Sequence, residues 1–296
     1  MSELALHYTA FADAPHGGNP AGVVLDASGL STAQMQAIAT ELGHPESAFV
    51  VSTSAAAVQG AAGSPARVGM RYFSPGAEIP FCGHATVATA VALFESKGWR
   101  DMVFETQAGE VAISAGLDDA GRARVSFVSV DPASRAIDPA ALDELLSVLT
   151  LRREDIDPRF PVLESFAGNW HPVLVLKDRE LFHQFRYDPR ALEPLMESNG
   201  WTGTVTVLSP LAADLYEARN LFPVGRISED PATGSAAAAT GAYLRTLGLA
   251  PRDGHVEILQ GAHVGRPSRL LVDIPATGGI RVSGGATRFT PGSQRG

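Results

Sequence analysis

Two stretches of the chain, PFCGHATVATAVALFESKG and PATGSAAAATGAYLRTLG, are variants of one pattern. Each has a glycine, then His or Ser, then alanine, then a small-residue apolar run that stops at another glycine: Gly83 to Gly98 in the first copy, Gly234 to Gly248 in the second. The copies lie about half the chain apart, which makes them an internal repeat. In the first, Ala85, Val87, Ala88, Ala90, Val91 and Leu93 leave the helix apolar nearly all round, and such a helix must be wrapped on every side. Strands are the only abundant material available to wrap it. We therefore expect an α+β fold of two pseudo-symmetric lobes, each a barrel-like curled mixed β-sheet around a central apolar helix, with the lobes at residues 1–125 and 126–296. A single α/β sandwich with alanine-rich buried helices is the alternative. The two-lobe reading is favoured because spacing, stop signal and start chemistry repeat together.

The rest of the chain supplies the strands. LALHYTAF reads as a strand, DAPHGGNPAG as a Gly/Pro-rich turn and VVLDA as a second strand. A helix follows with Ser31 as cap and Gln34 three residues on, a capping box. Met35, Ile38, Ala39 and Leu42 form its apolar stripe, and Gly43 stops it. SAFVV, RVGMRYFSP, DMVFETQAG, GEVAISA and RARVSFVSV read as strands, and TSAAAVQGAAGSPA as a loop. Asp138 and Pro139 open another helix, with Leu142, Leu145, Leu146 and Leu149 on one face. HPVLVL, TVTVLS and LYEARNLF are strands again.

Composition removes several function classes. In 296 residues, 32 acidic side chains against 23 Lys plus Arg argue against nucleic acid or an anionic membrane as partner. One cysteine allows neither an internal disulfide nor a CxxC zinc pair. MSELALHY lacks the basic and apolar regions of a signal peptide, and no apolar run approaches the ~20 residues of a membrane span. A cytoplasmic location is the expectation. GxGxxG after a strand, GxxxxGK[ST], HExxH and GxSxG are all missing.

Chemistry concentrates at the two helix starts. The first turn of a helix leaves N–H groups unpaired at the positive end of the dipole, and glycine lets a ligand approach the backbone there. Two such ends facing one cleft would receive a small carboxylate. The first mouth offers Cys82, Gly83 and His84, and the second, EDPATGS, offers Asp230, Thr233, Gly234 and Ser235. Each has a plainer reading. His84 alone reads as a helix residue bonded to a nearby carbonyl, Asp230 as a turn residue and Ser235 as a cap. Cys82 reads as a small buried hydrophobe, although a helix N-terminus lowers a thiol pKa. Glu46, just before SAFVV, reads as a surface carboxylate, and the local pattern explains it least. The duplicated mouths raise His84, Asp230 and Ser235 above those readings.

The segments FADAPHGGNPAGVVLDA, PESAFV, RYFSPGAEIPFCGHAT, EDPATGSAA and VEILQGAHVGRPS resemble the phenazine-biosynthesis PhzF-like family, related in fold to diaminopimelate epimerases and proline racemases. The likeness runs from about Phe11 to about Gly285. It implies the diaminopimelate epimerase-like fold, often as a homodimer, with no cofactor and no metal, and a last strand near 280–289 that crosses back to the N-terminal lobe. The activity it implies is isomerisation of a small carboxylic acid. By this resemblance Glu46 is the acid/base that removes a proton from carbon and returns it elsewhere. His84, Asp230 and Ser235 fall on the family's other site positions, with Gly83 and Gly234 where backbone amides meet substrate. His171 in GNWHPVLVL resembles a family position near the cleft, although a core or turn histidine is the simpler reading. Two features depart from the phenazine enzyme's pattern: Cys82 stands where that enzyme has alanine and Ala85 where it has proline.

Such chemistry needs a carboxylate base and fixed dipoles to stabilise the enolate-like charge left when a proton departs. With a cysteine at the first mouth and Thr233 at the second, a two-thiol racemase is excluded by count. Three readings stand: an isomerase with Glu46 as acid/base in an inter-lobe cleft, a Cys82-assisted epimerase or dehydratase of an amino or hydroxy acid, and a non-catalytic small-carboxylate-binding protein.

Overall fold

A computed structural model of the chain describes residues 4–14, 16–54 and 64–290. Most of the stretch read as a loop before RVGMRYFSP, residues 55–63, lies outside them. The chain divides into two units, Met1–Val128 with Ser283–Gly296 and Ser129–Val282.

In the first unit, β1 (Leu6–Ala10) runs antiparallel to β2 (Asn19–Val24), and β2 runs parallel to β3 (Glu46–Ser54) across helix α1 (Thr32–Leu42). The strand read as VVLDA thus begins at Asn19, inside the stretch taken for a turn. Pro20 is tolerated because pairing with β3 starts only at Ala21. Helix α1 has the expected ends. The Ser31 hydroxyl and the Gln34 side chain form a reciprocal capping box, and Gly43, at φ 64°, turns the chain out in a left-handed conformation. Its Met35, Ile38 and Ala39 pack on Phe49 and Phe73. Next, β4 (Ala66–Phe73) is antiparallel to β3 and carries the two-residue β5 (Glu78–Ile79). Helix α2 (Gly83–Lys97) then crosses to β6 (Asp101–Thr106), parallel to β4, followed by antiparallel β7 (Gly109–Leu117) and β8 (Ala123–Val128).

Every residue of α2 from His84 to Leu93 is buried. The helix touches β1, β2 and β3 at one end of the strand order and β7 and β8 at the other, so the sheet curls around it. This enclosure is what an all-round apolar sequence requires.

The second unit repeats the plan. β9 (Ala133–Ala136) is followed by α3 (Pro139–Val148), β10 (Leu163–Phe166) and β11 (Trp170–Val175). After α4 (Arg179–Gln184) and α5 (Pro189–Asn199) come β12 (Val205–Pro210) and β13 (Leu215–Leu221). Helix α6 (Gly234–Thr246) then leads to β14 (His255–Gln260) and β15 (Ser268–Asp273). The order of pairings β1 to β7 recurs here: antiparallel β10–β11, parallel β11–β12, antiparallel β12–β13, parallel β13–β14 across the apolar helix, antiparallel β14–β15. Helix α6 is buried from Ala236 to Leu244 and touches β9, β10, β11 and β15. Its last residue before the glycine is Leu247, still right-handed. Gly248, at φ 69°, makes the turn, and the Leu249 N–H returns to the Leu244 carbonyl. Asp138 caps α3 as expected, with Pro139 in its first turn. A second apolar cluster forms beneath α3, α4 and α5 around Leu145, Phe182, Leu192, Met196 and Trp201.

Finally, β16 (Arg281–Gly284) and β17 (Ala286–Arg288) carry the chain back into the first unit, where β17 pairs antiparallel with the outer edge of β1. The Ser126 and Ser283 hydroxyls, 2.8 Å apart, and the Phe11 N–H to the Gly285 carbonyl fix this return. No helix among the described residues is long and apolar enough to cross a membrane.

Candidate active site

In the first unit the start of α2 brings the Glu46 side chain, 36 positions away in sequence, against those of Cys82 and His84. Cys82 is the N-cap residue, extended at φ −141°, and its own side chain makes no capping hydrogen bond. The first-turn amides, Gly83 among them, are therefore not closed off by that side chain. Glu46 opens β3, one strand away, and its carboxylate Oε2 lies 3.3 Å from His84 Nε2 and 3.8 Å from Cys82 Sγ. Cys82 Sγ is in turn 3.4 Å from His84 Nδ1. The Glu46 side chain keeps 19% of its exposure against 5% for His84, so the carboxylate is the member of the group that solvent or a ligand reaches.

Asn19, fully buried at the start of β2, places its side-chain nitrogen 3.1 Å from His84 Nδ1 and fixes the ring. Burial pushes the His84 imidazole down to about 3. The nearness of His44 acts in the same direction, and a hydrogen bond to the Pro20 carbonyl opposes both. At neutral pH His84 is therefore a neutral ring facing a carboxylate.

The second unit builds its mouth from the corresponding elements. Thr233 is the N-cap of α6, again with no side-chain cap. Its hydroxyl donates to the Asp230 carboxylate at 2.5 Å and accepts from Gln260 Nε2 at 2.9 Å, while its N–H donates to Gln260 Oε1. Gln260 Nε2 also reaches the Asp230 carbonyl at 2.7 Å. The loop before α6 is thereby tied to β14. Ser235, the second residue of α6, sits 3.1 Å from Nε2 of the buried His171 on β11. His171 Nδ1 lies 2.9 Å from the Thr204 N–H and 3.0 Å from the Thr204 carbonyl, so Thr204 holds that edge of the ring while Nε2 faces the Ser235 hydroxyl. Burial holds His171 down at about 4.

The two mouths follow one scheme. The second residue of the enclosed helix, His84 or Ser235, is gripped by a polar side chain from β2 or β11, Asn19 or His171. The structure gathers Glu46, Cys82, Gly83 and His84 at one mouth and Asp230, Thr233, Gly234 and Ser235 at the other. His171 is a core histidine, as the simpler reading has it, and it also touches a candidate site residue. Sequence reasoning missed Asn19, Thr204 and Gln260. Asn19 carried one signal, a polar residue opening an otherwise apolar strand, NPAGVV.

Comparison with known proteins follows the same lines. The family model described as "Phenazine biosynthesis-like protein" (PhzC-PhzF) matches residues 8–292. A relative from Deinococcus radiodurans, named as an uncharacterized isomerase, is 34% identical, covering 91% of this chain and 86% of that protein. The trans-2,3-dihydro-3-hydroxyanthranilate isomerase of Pseudomonas fluorescens is 31% identical over 96% of each chain. Among solved structures, a Bacillus anthracis phenazine biosynthesis protein of the PhzF family matches with a TM-score of 0.79 at 26% identity, covering 97% of this chain and 96% of that one. A probable proline racemase from Agrobacterium radiobacter, 13% identical, shares the fold at a TM-score of 0.60, covering 96% of this chain and 90% of that one.

Proposed function

Because the chain belongs to the phenazine biosynthesis-like (PhzF) family, whose relatives are named isomerases, we propose that it isomerises a small carboxylic acid by moving a proton between carbons, with Glu46 as the acid/base. The observation that carries this reading is the carboxylate of Glu46 standing beside the uncapped start of α2, in contact with a neutral His84.

Glu46 takes the proton from carbon and returns it at a second carbon. The enolate-like charge formed between the two transfers is met by the Gly83 amide and the helix dipole. His84 Nε2 lies 3.3 Å from the carboxylate, and Asn19 holds the ring at Nδ1. The same reading gives Asp230, Thr233, Gly234 and Ser235, at the second unit's helix start, substrate-binding roles, which Ser235→Ala tests through the KM for exchange. The acid belongs to the chemical class of the dihydro-hydroxy aromatic acid named for the Pseudomonas fluorescens relative. A homodimer in the cytoplasm belongs to the same reading, and sedimentation of the purified chain checks its oligomeric half.

Incubation with a panel of small amino and cyclohexadiene acids in heavy water identifies the substrate by deuterium gain. Glu46→Gln is expected to keep fold and ligand binding and to lower exchange by at least about 100-fold, the scale of a lost general base. Undiminished exchange removes Glu46 from the role. A second reading rests on the thiol 3.8 Å from Glu46: a Cys82-assisted epimerase or dehydratase, for which Cys82→Ala abolishes turnover. Under the first reading that variant changes turnover little. Tight binding of a small acid without exchange at any pH would instead mark a non-catalytic carboxylate-binding protein.

A further inference from the structure

We propose that Glu46, Cys82 and His84 form a binding site for a thiophilic divalent cation of the zinc class. The three ligand atoms make a triangle with sides of 3.8 Å (Cys82 Sγ to Glu46 Oε2), 3.8 Å (Cys82 Sγ to His84 Nε2) and 3.3 Å (His84 Nε2 to Glu46 Oε2). Bonds of about 2.3 Å to sulfur and about 2.0–2.2 Å to nitrogen and oxygen give a tetrahedral ion ligand-to-ligand edges of roughly 3.3–3.6 Å. The triangle therefore needs to contract by only a few tenths of an ångström along two sides. Three donors of this kind, with a fourth position left over, are the pattern of an open zinc site.

Two further features fit. A dication held by one thiolate, one carboxylate and a neutral imidazole has no net charge, which suits ligands as buried as Cys82 and His84. His84 also has partners for its second nitrogen: Asn19 at Nδ1, whose amide presents oxygen when turned over, and the nearby Pro20 carbonyl. On binding, the Cys82 thiol releases its proton to solvent. In the ion-bound form the imidazole proton resides on Nδ1, leaving Nε2 to the ion.

An ion held there occupies Glu46. If Glu46 is the acid/base of the isomerase reading, on which this consequence alone rests, the filled site is silent and the fourth position is open to the carboxylate of an acid. The cation would then act as an inhibitor.

The test uses the full chain, stripped with chelator and titrated with Co2+. One equivalent is expected to give the near-ultraviolet absorption of a thiolate–cobalt bond with the strong visible bands of four-coordinate cobalt, both bleached by Zn2+. Cys82→Ser should lose the near-ultraviolet band. Asn19→Ala should retain it with affinity weakened roughly 10- to 100-fold, the range for a lost partner of a ligating histidine. The thiolate band separates this site from adventitious uptake at the His7–His44 and His183–His263 pairs, which lack sulfur. No thiolate band in the wild-type chain, or equal affinity in wild type and Cys82→Ser, overturns the site. Deuterium exchange measured in parallel should fall with the same midpoint as Zn2+ uptake and return with chelator, and exchange that persists at full occupancy overturns the silencing. Absence of exchange in the metal-free chain, with the cobalt spectrum intact, counts against the isomerase reading alone.

Discussion

At Gly203 a Cβ would lie 2.2 Å from Cε1 and 2.4 Å from Nε2 of His171, closer than any real side chain approaches. The imidazole is fully buried and held by Thr204 at Nδ1 and Ser235 at Nε2, so it has little room to yield. Gly203→Ala is therefore expected to destabilise the protein by about 1–3 kcal/mol, the range for overpacking a filled core, in urea unfolding. The same substitution should disturb the contact from His171 to Ser235, which a change in the imidazole NMR signals would report. An unchanged unfolding midpoint would mean that the ring moves freely. This position also marks a limit of sequence reading. The glycine sits in GWTGTV, where it looks like any turn residue, and only the fold brings a histidine from β11 against it. Asn19 and Gln260 were hidden for the same reason: their partners, His84 and Thr233, are distant in sequence.

Among the elements, β13 illustrates how the second mouth is held. Arg219 on this strand is nearly fully buried, and its guanidinium pairs with Glu229 at 2.6 Å. It also donates to the carbonyls of Phe182 and Phe185 at 3.1 Å and lies 3.8 Å over the Phe185 ring. The residue thus ties the end of α4 to the segment leading to Asp230. Arg219→Met removes the charge but leaves Glu229 buried without its cation, and an uncompensated buried charge of this kind costs about 3–5 kcal/mol. Chemical denaturation checks the value, and a cost below about 1 kcal/mol would mean that Glu229 escapes to water. The elements legible in the sequence were those with local signatures: the capping box of α1, the Asp-Pro start of α3, and the two alanine-rich helices with their glycine stops. Helices α4 and α5 went unread because α4 has only six residues and α5 carries Pro194 inside it. Strand β9 is four residues long with no buried residue, so it has no apolar alternation to read.

For the whole molecule, two buried neutral imidazoles weaken the fold in acid. His84 and His171 are depressed to about 3 and about 4 in the folded chain against an ordinary value of about 6.5. Between those limits the unfolded chain binds the extra proton, so the part of the stability that depends on these two rings is complete above about pH 6.5 and falls as pH decreases toward 4. Each histidine contributes a slope of about 1.4 kcal/mol per pH unit across that window. Urea midpoints measured from pH 7 to 4 should show the decline, and His84→Gln should flatten it by one proton's share. A slope unaltered in that variant would show that other groups govern acid sensitivity. The pairing of β17 with β1 has a consequence for synthesis. A ribosome must make all of Ser129–Val282 before the strand that covers the outer edge of β1 exists. Throughout that interval the edge of β1 that β17 will cover presents unpaired backbone groups, and the same edge of a neighbouring nascent chain is a competing partner for it.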